Sequence, residues 1–232
     1  MRWNQPLVVT LLAVSLGAVS LGAVALRQAA VDESFAGYDS KPLSGQPAKG
    51  AGLSGAWIAD ADTKFSVKDG RLVIPGDGRE LSVKLAQPIT LRPGQELFVA
   101  FTARALTATT QDAQGFIQFA SGQTSVYAVG HIWGQEYISQ LFGSPSTTPV
   151  DTKERKYLLH IVAQEKGARV SVVLDPDPGL EASQLNPTMT GWPEGIEGVF
   201  TFDHLRFKAN ANEWHFDNIR IGNTLDDVNP LK

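Results

Sequence analysis

The stretch KFSVKDGRLVI, residues 64–74, has the pattern of a β-hairpin, and the rest of the chain repeats its alternation. Apolar and polar residues alternate on both sides of Lys68-Asp69-Gly70, and Gly70 can adopt the positive φ that a tight hairpin turn requires. Runs with a period of two residues then recur up to residue 221, separated by Gly, Pro, Asn and Asp. The sequence therefore predicts an all-β protein with about a dozen short strands.

Two antiparallel sheets packed face to face are the expected arrangement of these strands. A sheet that is apolar on one face must bury that face against another layer. The chain has 232 residues, of which 43% are hydrophobic and 19% are charged, so it has enough apolar material for one core of this kind. We predict one antiparallel β-sandwich at residues 57–228, preceded by an extended arm at residues 31–56 and by one N-terminal helix at residues 1–30.

The first thirty residues have the composition of a membrane segment. An uncharged run of 21 residues, Pro6 to Leu26, lies between Arg2 and Arg27. Its length favours a signal anchor that crosses the hydrocarbon core as a transmembrane helix. Ala23-Val24-Ala25 also offers the small-x-small cleavage site of a secretory signal peptide. Either alternative puts the rest of the chain on the periplasmic or extracellular side, membrane-anchored if the leader is kept and secreted if it is cleaved.

Small residues inside that run are candidates for packing against another membrane helix. The sequence SLGAV occurs twice, at residues 15–19 and 20–24. This repeat brings Gly17, Ala18, Gly22 and Ala23 close together on a helix, where small side chains let a second helix approach closely. Ordinary signal segments are also rich in Ala and Gly. If the anchor is kept, integral membrane protein subunits are the expected partners.

Charge and cysteine content exclude several classes of function. The net charge is −4, and it is −6 once residues 1–30, which hold two arginines and no acid, are set aside. A nucleic-acid-binding domain normally has a basic surplus, and this chain has none. The absence of cysteine excludes a disulfide framework, thiolate metal sites and thiol catalysis.

Two motifs stand at the ends of the exported part: LSGQ and GLSGAW within residues 43–57, and WHFDNIRIGNT at residues 214–224. They resemble the opening and the closing strand of bacterial laminin-G-like and concanavalin A-like lectin and glucanase domains. YAVG at residues 127–130 and SVVLDP at residues 171–176 are similar to the middle. The resemblance covers roughly residues 35–228 and implies a jelly roll. It leaves the activity open, because this fold hosts lectins, glycanases, adhesion modules and structural parts.

The closing strand also predicts a local irregularity. Trp214 and Ile221 have the character of core residues, but the apolar phase shifts between Phe216 and Ile219. A β-bulge at Asp217-Asn218 would absorb such a shift.

We expect the domain not to be an enzyme and to need no cofactor. No Glu-x-Asp-x-x-Glu run supplies the paired carboxylates of glycanases of this fold, and no Gly-x-Ser-x-Gly elbow is present. The four histidines lack the spacing of a zinc site. Asp175 and Asp177, in DPDPG at residues 175–179, are interpreted as a strand exit and turn, and they are weak candidates for calcium ligands.

Three aromatic residues, Trp133, Tyr137 and Trp192, are the candidates for an interface or a ligand site. Aromatic rings anchor protein interfaces and stack on sugars, although they can also simply cover the ends of a sandwich. Trp192 lies in the long Pro- and Gly-rich segment 175–198, and long loops often carry function.

Three functions remain as hypotheses from the sequence. The leading one is a non-catalytic, membrane-anchored structural or accessory subunit of a larger membrane assembly, respiratory or photosynthetic for instance. The alternative is a secreted carbohydrate-binding, lectin-like module. The second alternative is a glycan hydrolase with a concanavalin A-like fold, whose carboxylates would come from separate strands.

Overall fold

Antiparallel strands in two packed sheets make up nearly all of the structure, a computed structural model that describes residues 31–38, 42–59, 64–107, 114–131, 139–140, 152–191 and 198–228. The eight-stranded sheet contains β1 (Val31–Glu33), β3 (Ser66–Lys68), β4 (Arg71–Ile74), β6 (Glu96–Ala105), β10 (Arg155–Ala163), β11 (Ala168–Leu174), β12 (Met189–Gly191) and β14 (Trp214–Gly222). The six-stranded sheet contains β2 (Leu53–Ala59), β5 (Asp77–Leu91), β7 (Gln114–Ser121), β8 (Thr124–His131), β9 (Ser139–Gln140) and β13 (Phe200–Asn210). A 3-10 helix (Ala182–Gln184) and a short α1 (Leu225–Val228) complete the described part.

The order of the strands confirms the predicted all-β sandwich. The eight-stranded sheet runs β12-β11-β10-β6-β14-β4-β3, with β1 paired to β14, and the six-stranded sheet runs β2-β5-β13-β7-β8-β9. Consecutive strands such as β5 and β6, or β13 and β14, lie in different sheets. The chain therefore crosses repeatedly between the two layers, which agrees with a jelly roll.

The hairpin predicted at residues 64–74 is confirmed. Lys68 pairs with Arg71, which leaves Asp69 and Gly70 as a two-residue turn between β3 and β4. Their φ values are 53° and 75°, so both residues have the left-handed conformation of a type I′ turn.

Inward-facing side chains of both sheets form one apolar core. Trp57, Trp214, Tyr127 and Tyr157 are among its largest members, and each is at most 1% exposed. On β2, β10 and β14 the neighbours of these residues point outward, as the period of two requires. On β8, Val126 beside Tyr127 also belongs to the core, because the pairing of β7 with β8 shifts register there. The predicted core positions of Trp214 and Ile221 are confirmed.

The segment predicted as an extended arm contributes β1 and the start of β2. β1 pairs with the second half of β14, and residues 43–48 run along the outer edge of β2, where Trp57 N–H donates to the carbonyl of Gln46 at 2.9 Å. Phe35 and Leu43 are fully buried, so the arm is tied to the sandwich by its apolar side chains.

A buried carboxylate joins these N-terminal pieces. Glu33 is 3% exposed, and its side chain accepts hydrogen bonds from Phe35 N–H (2.7 Å), the Tyr38 hydroxyl (2.7 Å) and Gly50 N–H (3.0 Å). The Tyr38 oxygen in turn accepts from Trp57 Nε1 at 3.0 Å and from Lys49 N–H at 2.8 Å. Burial is the main cause that raises the pKa of Tyr38 to about 12, so the hydroxyl keeps the proton that it donates to Glu33.

Replacing Tyr38 by Phe is expected to lower the free energy of unfolding by about 1–3 kcal/mol. The change removes only the hydroxyl, but it takes away one of the three donors to the buried Glu33 carboxylate and leaves Trp57 Nε1 without its acceptor. Urea unfolding followed by tryptophan fluorescence measures the effect. An unchanged midpoint would show that the buried carboxylate does not depend on this contact.

Gly115 on β7 is required by a close approach between the two sheets. A Cβ atom at this position would lie 2.1 Å from the indole ring of Trp214. Since Trp214 is 1% exposed and packs on Phe216, the ring has no free space to move into.

Gly115→Ala is therefore expected to lower the free energy of unfolding by about 1–3 kcal/mol. Gly179→Ala is the matched control, because no atom lies within 4 Å of its Cβ position and its φ is not in the left-handed region. Thermal unfolding of both variants checks the prediction, and equal midpoints would contradict it.

Residues 1–30 lie outside the described residues. The signal-anchor and signal-peptide alternatives, and the packing role of Gly17, Ala18, Gly22 and Ala23, therefore stay predictions. Within the described part of the chain, no helix has both the length and the apolar character needed to cross a bilayer.

Candidate functional site

The outer face of the eight-stranded sheet is divided into an apolar half and a polar half. In the apolar half, Phe98, Ala100 and Leu158 form a second small core with Val228 of α1. Leu180 and Leu185, from the segment that follows β11, pack on the same cluster. The chain after β11 thus returns over the sheet and covers this half, whereas this segment does not cover the other half.

An open cavity of about 400 Å³ lies in the polar half. It is lined by Thr102, Glu154, Arg155, Lys156, Asp175, Pro176 and Asn218. The volume is in the range of sites for small ligands. All but one of the lining side chains are polar, so the cavity suits a ligand that is held by hydrogen bonds.

Strand register brings the lining residues together from four strands. Lys156 on β10 and Asp217 on β14 both pair with Thr102 on β6, so the three side chains form a row across the sheet. Asp175, directly after β11, extends the row beyond Lys156, because its N–H donates to the Lys156 carbonyl at 2.8 Å. No two of these elements are adjacent in the chain except β10 and β11.

Two ion pairs fix the segment that leads into β10. Glu154 receives two hydrogen bonds from Arg71 of β4, from Nε at 2.5 Å and from Nη2 at 3.0 Å. Arg155, the next residue, donates from Nη1 to Asp175 Oδ2 at 2.6 Å in the opposite direction across the sheet. The Arg71 hydrogen bond is the main cause that holds the pKa of Glu154 below its usual value, so this carboxylate is ionised at neutral pH.

Two of the five described non-glycine residues with a left-handed φ line the cavity. Asp175 and Asn218 have φ values of 46° and 50°, which L-residues adopt rarely and which Asp and Asn tolerate best. Asn218 lies at the bulge of β14, where Asn218 and Ile219 together oppose the single residue Phe101. The bulge predicted at Asp217-Asn218 is confirmed, and it turns the Asn218 side chain toward the cavity.

Asp217 lies directly behind the cavity wall, where its negative charge is destabilised. Burial is the main cause that raises its pKa, and the carboxylates of Glu154 and Glu33 raise it further. The guanidinium of Arg71 and the N–H of Asn218, which donates to Asp217 Oδ1 at 2.7 Å, act in the other direction. The ionised form is therefore less stable here than in the unfolded chain.

A histidine network borders the same face. Arg104 donates to His215 Nδ1 at 3.1 and 3.3 Å, and His215 Nε2 lies 2.6 Å from Glu213 Oε1. An arginine can only donate, so Nδ1 is the acceptor and the ring proton is on Nε2, pointing to Glu213. The network fixes Arg104, which also acts on the charge of Glu154.

The structure describes only two of the site residues predicted from sequence. Asp175 lines the cavity, but its carboxylate binds Arg155 and accepts the Lys156 N–H at 3.0 Å, and Asp177 is exposed. Within the described residues, no three His, Cys, Asp or Glu side chains are grouped to hold a metal. Trp133, Tyr137 and Trp192 lie outside the described residues, so their predicted roles stay predictions.

Sequence reasoning missed the rest of the cavity. Thr102, Glu154, Arg155 and Lys156 are ordinary polar residues in an alternating pattern, and nothing local distinguishes them. The phase shift in β14 was the one signal that pointed here, because it located the bulge that carries Asn218.

Comparisons with known proteins support the fold. No protein-family model matches the chain, and no curated protein matches its sequence. Among solved structures, 87% of the chain superposes on 19% of a sialidase chain with a TM-score of 0.52 and 12% identity. The globular domain of T. cruzi calreticulin matches 88% of this chain over 87% of its own length, with a TM-score of 0.46 and 15% identity. The metal-free carbohydrate recognition domain of Emp46p matches 72% of this chain over 88% of its own, with a TM-score of 0.41 and 9% identity.

Of these three TM-scores, only that of the sialidase is above 0.5, and it supports a similarity of fold. The sandwich is shared with a part of the sialidase that amounts to about a fifth of that chain. At 12% identity the likeness extends to the arrangement of the strands and not to the activity.

The strained position of Asp217 leads to a prediction about pH. Because the pKa of Asp217 is raised in the folded state, its carboxyl group stabilises the fold at pH values below its ordinary pKa of 3.8. This stabilisation is lost as the pH rises through the pKa of the folded state. Asp217→Asn keeps an oxygen for the Asn218 N–H and carries no charge. We expect the variant to be more stable than the wild type at pH 7, by up to about 1 kcal/mol because the group is partly solvated.

The measurement is urea unfolding at pH 7, 5.5 and 4. The advantage of Asp217→Asn should shrink as the pH falls, since the wild-type carboxyl then becomes neutral as well. A difference that stays constant over this range would contradict the assignment of the strain to charge.

Proposed function

We propose that this protein is a non-catalytic, carbohydrate-binding module and that the cavity on the eight-stranded sheet is its ligand site. The observation that supports this most directly is the mixture of groups in the lining. Thr102 and Asn218 can each donate and accept, Arg155 and Lys156 donate, and Glu154 and Asp175 accept. Every hydroxyl of a sugar both donates and accepts, so a sugar can use all of these groups at once.

The shape of the lining fits the same ligand. Pro176 is buried where the chain leaves β11, and it closes that side of the cavity with a rigid ring. A pyranose has apolar C–H faces between its hydroxyls, so it can turn one face toward this side while its hydroxyls reach the charged groups. The ion pairs of Arg71 and Arg155 hold the polar groups in place before a ligand binds, which reduces the entropy lost on binding.

The contacts of the carboxylates support a binding role without catalysis. Glu154 has a lowered pKa and is held by Arg71, so it is not available as a proton donor at neutral pH. Asp175 is paired with Arg155 and with a backbone N–H, so it is not a free nucleophile. These contacts favour the carbohydrate-binding alternative over a glycan hydrolase.

The membrane-anchored accessory subunit is the less supported hypothesis. It rests on the apolar run Pro6–Leu26, which lies outside the described residues, whereas the cavity lies within them. The same run supports export of the domain, so we place the module on the periplasmic or extracellular side, either tethered or secreted.

Binding to a panel of neutral and acidic glycans tests the function, with the full chain kept in a detergent that has no sugar headgroup. Thr102→Val removes one lining hydroxyl at nearly constant volume, and Asn218→Gly removes the amide while tolerating the positive φ. Each variant should weaken binding about fivefold, the equivalent of one hydrogen bond of about 1 kcal/mol.

Thr90→Val is the matched control, because Thr90 lies on the six-stranded sheet, hydrogen-bonded to Thr201. It should bind like the wild type. Glycan binding that is equally affected by Thr90→Val and Thr102→Val would place the ligand elsewhere, and the absence of any binding would reject the function.

A further inference from the structure

We infer that the cavity selects uncharged sugars and discriminates against acidic ones. This inference rests on the proposed function, and it concerns the class of sugar. It is carried by the arrangement of formal charges around the cavity, all of which belong to described residues.

The two cations of the lining, Arg155 and Lys156, are balanced in number by its two acids, Glu154 and Asp175. Arg155 is bound to Asp175 at 2.6 Å, and Lys156 is fixed by its backbone to the same carboxylate, which accepts its N–H at 3.0 Å. The second lining acid, Glu154, accepts two hydrogen bonds from Arg71 at the border of the site. An anionic ligand would have to compete with Asp175 for Arg155 and with Glu154 for Arg71.

A further acid lies immediately behind the wall. Asp217 follows the same row as Thr102 and Lys156, and its carboxylate is hydrogen-bonded to the backbone and side chain of Asn218. No described cation forms an ion pair with Asp217; the more distant Arg71 favours its negative charge, whereas the Glu154 and Glu33 carboxylates act against it. A negatively charged sugar at Asn218 would add one more anion to this group.

The bordering cation Arg104 does not change this conclusion. Arg104 donates two hydrogen bonds to His215 Nδ1, and His215 Nε2 in turn lies 2.6 Å from Glu213 Oε1. The lining itself holds two cations, Arg155 and Lys156, and two acids, Glu154 and Asp175, so its formal charges sum to zero. A site with no net charge gains nothing from an anion and still offers its hydrogen bonds to a neutral polyol.

Matched pairs of ligands test the inference. Methyl glucoside and methyl glucuronide differ only in a hydroxymethyl group against a carboxylate, as do methyl galactoside and methyl galacturonide. We expect the neutral member of at least one pair to bind more tightly than its acid, with an affinity that does not change between 0.05 and 0.5 M NaCl. Salt would weaken a charge-driven interaction over this range.

Asp217→Asn gives the site a surplus cation without removing a lining group. It should shift the ratio of acid to neutral affinity toward the acid by about threefold, the effect of one charge at close range in a solvated site. Asp203→Asn is the matched control. Asp203 also borders a strand irregularity and accepts a backbone N–H, from Gly122 at 2.9 Å, but it lies on β13 in the other sheet.

The outcomes separate the inference from the function. If acidic sugars bind more tightly than their neutral twins and Thr102→Val weakens that binding, the function stands and the inference is wrong. If Asp203→Asn shifts the ratio as much as Asp217→Asn, the selectivity comes from overall charge and the local argument is wrong. If no member of any pair binds to the wild type, both the function and the inference are rejected.

Discussion

The structure depends on one irregular position in β14, where the core and the strand period conflict. Phe216 and Ile219 must both point inward, but they are three residues apart, and a regular strand reverses direction at every residue. Asp217 is paired with Thr102 and Arg220 with Ala100, so an extra residue is accommodated at Asn218. The left-handed φ of Asn218 is the local cost of keeping all four apolar residues of the strand inside.

The bulge also organises the strands beside β14. Residues Trp214–Phe216 pair with β4, and residues Ile219–Ile221 pair with β1, so the partner changes where the strand bends. Glu33 is placed opposite Ile219 by this pairing, and from there its buried carboxylate binds Tyr38 and Gly50. The N-terminal segment is thus attached to the sandwich next to the bulge.

The candidate site is a second consequence of the same irregularity. The bulge turns Asn218 outward beside Thr102 and Lys156, and it leaves Asp217 partly buried between like charges. On the other half of the face, the segment after β11 and α1 cover Phe98 and Leu158. The cavity lies where this covering segment begins, at Asp175 and Pro176, so packing on one half of the sheet leaves an open, polar site on the other.

The sequence by itself determined the layers and the phase of most strands. Alternation fixes which side chains of β6, β10 and β14 enter the core, and the Asp69-Gly70 pair fixes the first hairpin, because both are local properties of the chain. Even the bulge was visible as a phase shift between Phe216 and Ile219. The short strands β1 and β12 could not be predicted from the sequence, because three residues are too few to show an alternating pattern.

Tertiary structure alone decided which polar residues meet. Arg71 and Glu154 are 83 positions apart in the sequence. Thr102 lies on β6 and Asp217 on β14, and seven strands and the 3-10 helix lie between them in the chain. Their contact depends on the order of the strands in the sheet, which an alternating pattern does not encode. Surface positions on different strands have the same polar character in sequence, and only register across the sheet makes some of them neighbours in a cavity.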